Sequence, residues 1–192
     1  TISEIVLNNK GCPICSGHKV VKSNCLATTH PELTKEWHPT KNGDLTAFKL
    51  TKGNVKKVWW KCPKGDDHEW LQSPNSRLGK STTGCPICNG KKVVESNCLA
   101  SVNPTLALEW HPTKNKLLTP YDVSFKSGKK VWWKCPEGDD HEWCTSVAHR
   151  SNGTKCPFCE NQKASKTNNL LQLYPELAKE WHPTKNGNLL PE

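Results

Sequence analysis

A tandem array of small α+β modules is the fold class this sequence predicts, and three observations predict it. The string Cys62-Pro-Lys-Gly-Asp-Asp-His68 followed by Cys85-Pro-Ile-Cys88 recurs as Cys135-Pro-Glu-Gly-Asp-Asp-His141 followed by Cys156-Pro-Phe-Cys159. Cys12 recurs as Cys85, Cys62 as Cys135 and Trp37 as Trp110, each 73 positions on, and Trp110 recurs as Trp181 after 71. Hydrophobic residues make up only 34% of the 192, a thin supply for one large core but an ordinary one for short units that depend on metal or on neighbours.

Each repeat carries one Cys-x5-His and one Cys-x2-Cys knuckle, the donor set and spacing with which a small hairpin surrounds a tetrahedral Zn2+. Two zinc sites are therefore expected, Cys62, His68, Cys85 and Cys88, then Cys135, His141, Cys156 and Cys159, with zinc structural and folding dependent on it. Cys12 and Cys15 have no Cys-x5-His before them. They are expected to be half of a third site whose other half lies upstream, in a chain that begins at Thr1, has no methionine and reads as part of a longer polypeptide. On this reading 1–27 is the remnant of one unit, 28–100 and 101–171 are two complete modules, and 172–192 begins another.

The local elements follow in order. Lys56-Lys57-Val58-Trp59-Trp60-Lys61-Cys62 is β-branched and aromatic, and a turn through Gly65 leads to His68-Glu69-Trp70, which predicts a hairpin. Alternation puts Val58, Trp60 and Cys62 on one face and Trp59 and Lys61 on the other. Asn103-Pro104 is an N-cap followed by a first helical position, and Leu106 with Trp110, like Leu33 with Trp37 and Leu177 with Trp181, forms the apolar stripe of a short helix. The prolines after His38, His111 and His182 end it.

Several repeated or reactive residues are expected to be structural. Cys25, Cys98 and Cys144 do not persist through the copies and read as small buried or partly buried thiols, and His38, His111 and His182 read as hydrogen-bonded structural histidines. His18, His30 and His149 do not repeat and default to the surface. Eleven cysteines could instead signal a secreted disulfide scaffold, but the number is odd and they pair with histidine at metal spacing, so an intracellular, reducing compartment is expected. The sequence contains no apolar run long enough to span a bilayer and no secretory signal.

These motifs are similar to those of the tandem probable zinc-ribbon, treble-clef-like repeat domains, whose hallmarks are Glu-Trp-His-Pro-Thr-Lys-Asn, Trp-Trp-Lys-Cys, His-Glu-Trp and Cys-Pro-x-Cys. The resemblance covers nearly the whole chain. It implies zinc-stabilised α+β modules, each a β-hairpin plus a short helix, the same eight zinc ligands, and nucleic-acid binding, in some members as accessory domains of endonuclease-type proteins.

Charge points the same way: 27 Lys and Arg against 18 Asp and Glu give a net +9 and a pI near 9.0. The cations expected on phosphates are Arg77 and Lys80, then Arg150 and Lys155, just before each Cys-Pro-x-Cys turn, and Lys91 and Lys92 just after one. Trp59 and Trp132 are expected to stack on bases, while Trp60, Trp70, Trp133 and Trp143 fill cores. The lysines of Thr-Lys-Asn, Lys41, Lys114 and Lys185, read as a solvated face. No helix carries a run of base-reading side chains, so contact with nucleic acid, DNA before RNA, is expected to be mostly to the backbone. Asp67-His68 and Asp140-His141 resemble catalytic pairs, but both histidines are needed as ligands, so no catalysis is expected. The alternative is a zinc-stabilised protein-interaction scaffold.

Overall fold

The computed structural model describes residues 12–79 and 84–191. The chain divides into two compact units, Thr1–Val94 and Glu95–Glu192. In the first, two short helices, α1 (Leu26–Thr29) and α2 (Pro31–Thr34), precede a hairpin of β1 (Val58–Lys61) and β2 (Glu69–Gln72), which leads into α3 (Pro74–Leu78). The second repeats this with α4 (Leu99–Val102), α5 (Pro104–Leu108), β3 (Lys130–Lys134), β4 (Glu142–Ser146) and α6 (Val147–Ser151), and adds α7 (Leu170–Leu173) and α8 (Pro175–Lys179).

Proline opens α2, α3, α5 and α8, where its fixed φ suits the first turn and its missing N–H costs nothing. Asn103 caps α5 as expected, its Oδ1 accepting from the Leu106 N–H at 3.0 Å. Ser73 and Ser146 cap α3 and α6 in the same way.

Both hairpins are antiparallel, with Trp60 opposite Trp70 and Trp133 opposite Trp143. The strand alternation is the expected one: Val58 and Trp60 point into the core and Trp59 and Lys61 away from it. Trp60 is fully buried, and Trp37 meets it edge to face with ring centroids 5.5 Å apart at 79°. Trp110 and Trp133 repeat that geometry in the second unit. Such a contact adds about 1 kcal/mol to the burial of the rings, a useful term in a core this small.

Leu26 and Leu50 join Val58, Trp60, Trp70 and Ile87 in the first core, and Leu99 and Val123 join Val131, Trp133, Trp143 and Phe158 in the second. These memberships draw the units differently from the repeat spacing. Leu26, expected in the remnant 1–27, is buried in the first core, and Leu99, expected in 28–100, is buried in the second. Each helix packs beside the hairpin that follows it, because the Leu26 and Leu99 N–H groups donate to Leu50 and Val123, upstream of that hairpin.

Candidate metal centres

The first knuckle forms where β1 runs out. The Cys62 N–H donates to the His68 carbonyl at 2.9 Å and the His68 N–H to the Gly65 carbonyl at 3.2 Å, so the strand turns tightly and delivers Cys62 and His68 to one point. Glycine is required here by space. A Cβ on Gly65 would lie 2.7 Å from His68 Cδ2, and one on Gly138 would lie 2.8 Å from His141 Cδ2. The imidazole lies directly on the glycine.

The second knuckle is a turn in which the Asn89 N–H donates to the Cys85 carbonyl at 3.2 Å and the Gly90 N–H to the Ile87 carbonyl at 2.9 Å. Glu160 with Cys156 and Asn161 with Phe158 form the equivalent bonds in the second unit, both 3.1 Å.

These turns bring three sulfurs and one imidazole nitrogen together twice: Cys62, His68, Cys85 and Cys88, and Cys135, His141, Cys156 and Cys159. Within each group the ligand atoms all lie within 4.8 Å of one another. Sulfurs are 3.8 Å apart for Cys62 and Cys88 and 3.7 Å for Cys135 and Cys159. His68 Nδ1 lies 3.8 Å from Cys85 Sγ and 3.4 Å from Cys88 Sγ, and His141 Nδ1 lies 3.9 and 3.6 Å from its sulfurs. A tetrahedral zinc with bonds of about 2.3 Å to sulfur and about 2.0 Å to nitrogen sets ligand atoms roughly 3.5–3.8 Å apart. The donor sets fit the ion in chemistry and in spacing, and Nδ1 is the nitrogen that faces it.

The surroundings favour a cation. Burial, with the neighbouring thiols of Cys85 and Cys62, pushes the Cys88 thiol up to about 12, and burial with Cys135 and Cys156 does the same to Cys159. A divalent ion removes that penalty by binding the sulfurs as thiolates. In the second unit the far side of the imidazole is also held: Thr167 Oγ1 donates to Asp140 Oδ1 at 2.9 Å and lies 3.4 Å from His141 Nε2, while Phe158 stacks on the ring at 5.0 Å and 12°. None of the eleven cysteines is in a disulfide.

Cys12 and Cys15 form a knuckle of the same hydrogen-bonding pattern, Ser16 N–H to Cys12 carbonyl at 2.9 Å and Gly17 N–H to Ile14 carbonyl at 3.1 Å. Both are exposed, and among the described residues no further donor joins them in a cluster of three. Cys25 and Cys98 are buried thiols as expected, but Cys144 is exposed, because it lies opposite Trp132 on the outward side of the hairpin.

The expected phosphate contacts need correcting at two positions. Arg77 and Arg150 are 5% and 7% exposed. The Arg77 guanidinium packs over the rings of Trp60 and Trp70 at 4.6 and 4.8 Å and is ion-paired to Glu36, and Arg150 does the same with Trp133, Trp143 and Glu109. A cation so enclosed is part of the core and does not reach a phosphate. Lys80 lies outside the described residues. Lys91 and Lys155 are exposed, and Lys92 is exposed with its Nζ donating to the Glu69 carbonyl at 2.9 Å.

The Glu-Trp-His-Pro-Thr-Lys-Asn string turns out to clamp the helix segment to the hairpin through its histidine, lysine and asparagine. His38 Nδ1 accepts from the Thr40 and Lys41 N–H groups at 3.2 and 3.1 Å, leaving Nε2 to meet Glu69 at 2.9 Å. Glu69 also takes Lys41, and these two contacts, Lys41 first, hold its carboxyl down at about 2. Asn42 grips the Trp59 backbone with both ends of its amide, 2.8 Å to the N–H and 2.9 Å to the carbonyl. Asn115, Lys114, His111 and Glu142 repeat the arrangement on Trp132. Lys41 and Lys114, expected on a solvated face, stay exposed while they are ion-paired and lie over the Trp59 and Trp132 rings at 4.8 and 4.5 Å. The asparagines and the two hairpin glutamates escaped the sequence reading, although each recurs in both repeats.

Two hairpins, each carrying a Cys3His cage closed by a second knuckle, define tandem treble-clef zinc modules. The sequence profile of the family described as "Probable Treble clef zinc finger domain" matches residues 33–91 and 106–162, more than half of the chain, and the chain belongs to that family. No curated protein matches it. Among the described residues no helix is long and apolar enough to cross a membrane.

Proposed function

We propose that the chain binds nucleic acid, DNA in the first instance, through the outward faces of its two hairpins and mainly through phosphates. The observation that carries this reading is a repeated basic and aromatic strip. Lys57, Trp59 and Lys61 alternate onto the outward face of the first hairpin, and Lys130, Trp132 and Lys134 onto that of the second. Trp132 is 37% exposed, whereas the neighbouring Trp133 is fully buried. A rigid strand holding cations on either side of an indole suits a sugar–phosphate backbone with a base against the ring. Lys91 adds exposed charge beside the second knuckle of the first unit, and Lys155, exposed beside that of the second, shares its charge with Glu160 at 3.4 Å.

Catalysis is not assigned to these units, because His68 and His141 are committed to the metal through Nδ1. The array would serve as the targeting part of a larger protein, one of nuclease type included. Cysteines outside any disulfide, exposed Cys144 among them, suit a reducing compartment.

The test is to replace Lys57, Lys91, Lys130 and Lys134 together with Glu and measure retention on duplex DNA, single-stranded DNA and RNA, with zinc content checked. Binding should weaken at least about tenfold with two zinc ions retained, and the slope of log K against log salt should fall by about 0.9 for each phosphate that is no longer neutralised. Unchanged affinity in the zinc-loaded variant would place the contact surface elsewhere. An unaltered protein without salt-dependent binding to any of the three polymers would hand the function to the protein-interaction reading.

A further inference from the structure

The segment Leu-x2-Glu-Trp-His-Pro-Thr-Lys-Asn occurs three times and folds the same way each time. The residue before the second helix has φ −141 and ψ 67 at His30, −142 and 77 at Asn103, and −138 and 67 at Tyr174. The Trp N–H bonds back to the helix at 3.1 Å from Trp37, 3.2 Å from Trp110 and 3.2 Å from Trp181. His182 Nδ1 accepts from the Thr184 and Lys185 N–H groups at 3.2 and 3.0 Å, as His38 and His111 do with their own loops.

What differs is the cover. Leu33 and Leu106 are 9% and 6% exposed, and Leu177 is 53% exposed. His38 and His111 are buried and His182 is exposed. Leu173 and Tyr174 extend the open apolar surface.

The polar groups of the third copy identify what would cover it. In the first two copies the Glu carbonyl and the His N–H take the backbone of a Trp-Trp-Lys strand: Lys61 N–H to Glu36 at 2.7 Å and His38 N–H to Trp59 at 3.2 Å, then Lys134 to Glu109 at 2.8 Å and His111 to Trp132 at 3.1 Å. Trp37 and Trp110 thereby bridge antiparallel to Trp60 and Trp133. Asn42 and Asn115 grip the same strand. In the third copy the Glu180 carbonyl and the His182 N–H take no hydrogen bond among the described residues, and Asn186 Nδ2 turns back to the His182 carbonyl at 3.4 Å. The groups that hold a strand in two places are all present in the third, with the Glu180 carbonyl and the His182 N–H not engaged among the described residues and the Asn186 amide turned inward on its own loop.

We propose that the face formed by Leu177, Glu180, Trp181, His182 and Asn186 is a docking surface for a β-hairpin of the Val-Trp-Trp-Lys-Cys type that is not already seated on a helix pair of its own. Docking is by strand addition: main-chain hydrogen bonds to Glu180 and His182 set the register, and a buried indole on Trp181 supplies the apolar contact. The inference does not depend on the nucleic-acid reading.

The experiment uses the whole chain with a copy of residues 122–163 joined after Glu192, which continues the repeat in register because Tyr121 corresponds to Glu192. Bound zinc should rise from two ions per chain to three, and the His182 amide should exchange with solvent at least about a hundredfold more slowly than in the 192-residue chain. Trp181→Ala with Asn186→Ala, made in the extended chain, should reverse that protection while the first two sites keep their zinc. A third ion bound with His182 still exchanging at its original rate would overturn the proposal, and so would failure of the appended hairpin to take zinc at all.

Discussion

Placing a methyl group on Gly138 tests how tightly the metal centre depends on its turn. The added Cβ of Gly138→Ala would lie 2.8 Å from both Cδ2 and Cγ of His141 and 2.9 Å from Cε1. Carbon atoms settle at about 3.5–4.0 Å, so the ring must retreat by about 0.7 Å or more. It cannot do so without cost, since Nδ1 faces the sulfurs and Phe158 stacks on the ring. Zinc–ligand distances hold to within about 0.2 Å, several times less than the shift required. The second site should therefore lose at least about tenfold in zinc affinity, the scale seen when the support of a ligand is removed. The assay is chelator competition followed by zinc content, with the first site as internal reference. Gly128→Ala is the control, because a Cβ there meets nothing within 4 Å. Zinc affinity at the second site within twofold of the parent, in a folded Gly138→Ala protein, would refute the contact argument.

Four further outcomes are expected. Stripping zinc with a chelator should abolish the folded tryptophan spectrum of both units, because cores this small lack the apolar burial to stand without it; a chain that keeps its near-ultraviolet dichroism without metal would count against a structural ion. Asn115→Ala removes two 2.8 Å hydrogen bonds to the Trp132 backbone and should cost about 1–3 kcal/mol in denaturant unfolding of the second unit. Glu109→Ala leaves the Arg150 guanidinium buried without its partner and should cost about 3–5 kcal/mol, whereas Arg150→Met, which keeps the packing on Trp133, should cost much less. Lowering the pH should weaken the His38–Lys41–Glu69 clamp. The Glu69 carboxyl is held below its ordinary 4.5, so its stabilisation is present above that value and fades as the pH drops toward about 2. Glu69→Gln should remove that part of the acid dependence, read as the difference between parent and variant in acid titrations of tryptophan fluorescence that also follow bound zinc.

The ligands were legible because metal chemistry leaves its mark in the spacing of a few residues: Cys-x5-His and Cys-x2-Cys each fit one tight turn, and the turn is local. The inward and outward sides of β1 were legible for a similar reason, since alternation is a two-residue rule and Trp60 and Trp59 obey it. The fate of Arg77 was not. Its partner Glu36 lies far away in sequence, and nothing local separates an arginine bound for solvent from one that will lie over two indoles. The same distance hid the link of Lys41 to Glu69, since an exposed lysine in a polar loop carries no local sign of its partner. The cores that Leu26 and Leu99 join were not legible either, because both residues precede the motifs they pack beneath, and periodicity gives the length of a repeat without saying where it starts.

Each centre draws all four donors from a single uninterrupted stretch, 62–88 or 135–159, and shares none with the other. A nascent chain accordingly holds a full coordination set as soon as residue 88 has cleared the ribosome, well before the second set has been synthesised. Loading can proceed one ion at a time, and a cell short of zinc would accumulate singly loaded molecules with one finished finger and one unfinished, instead of an all-or-none mixture.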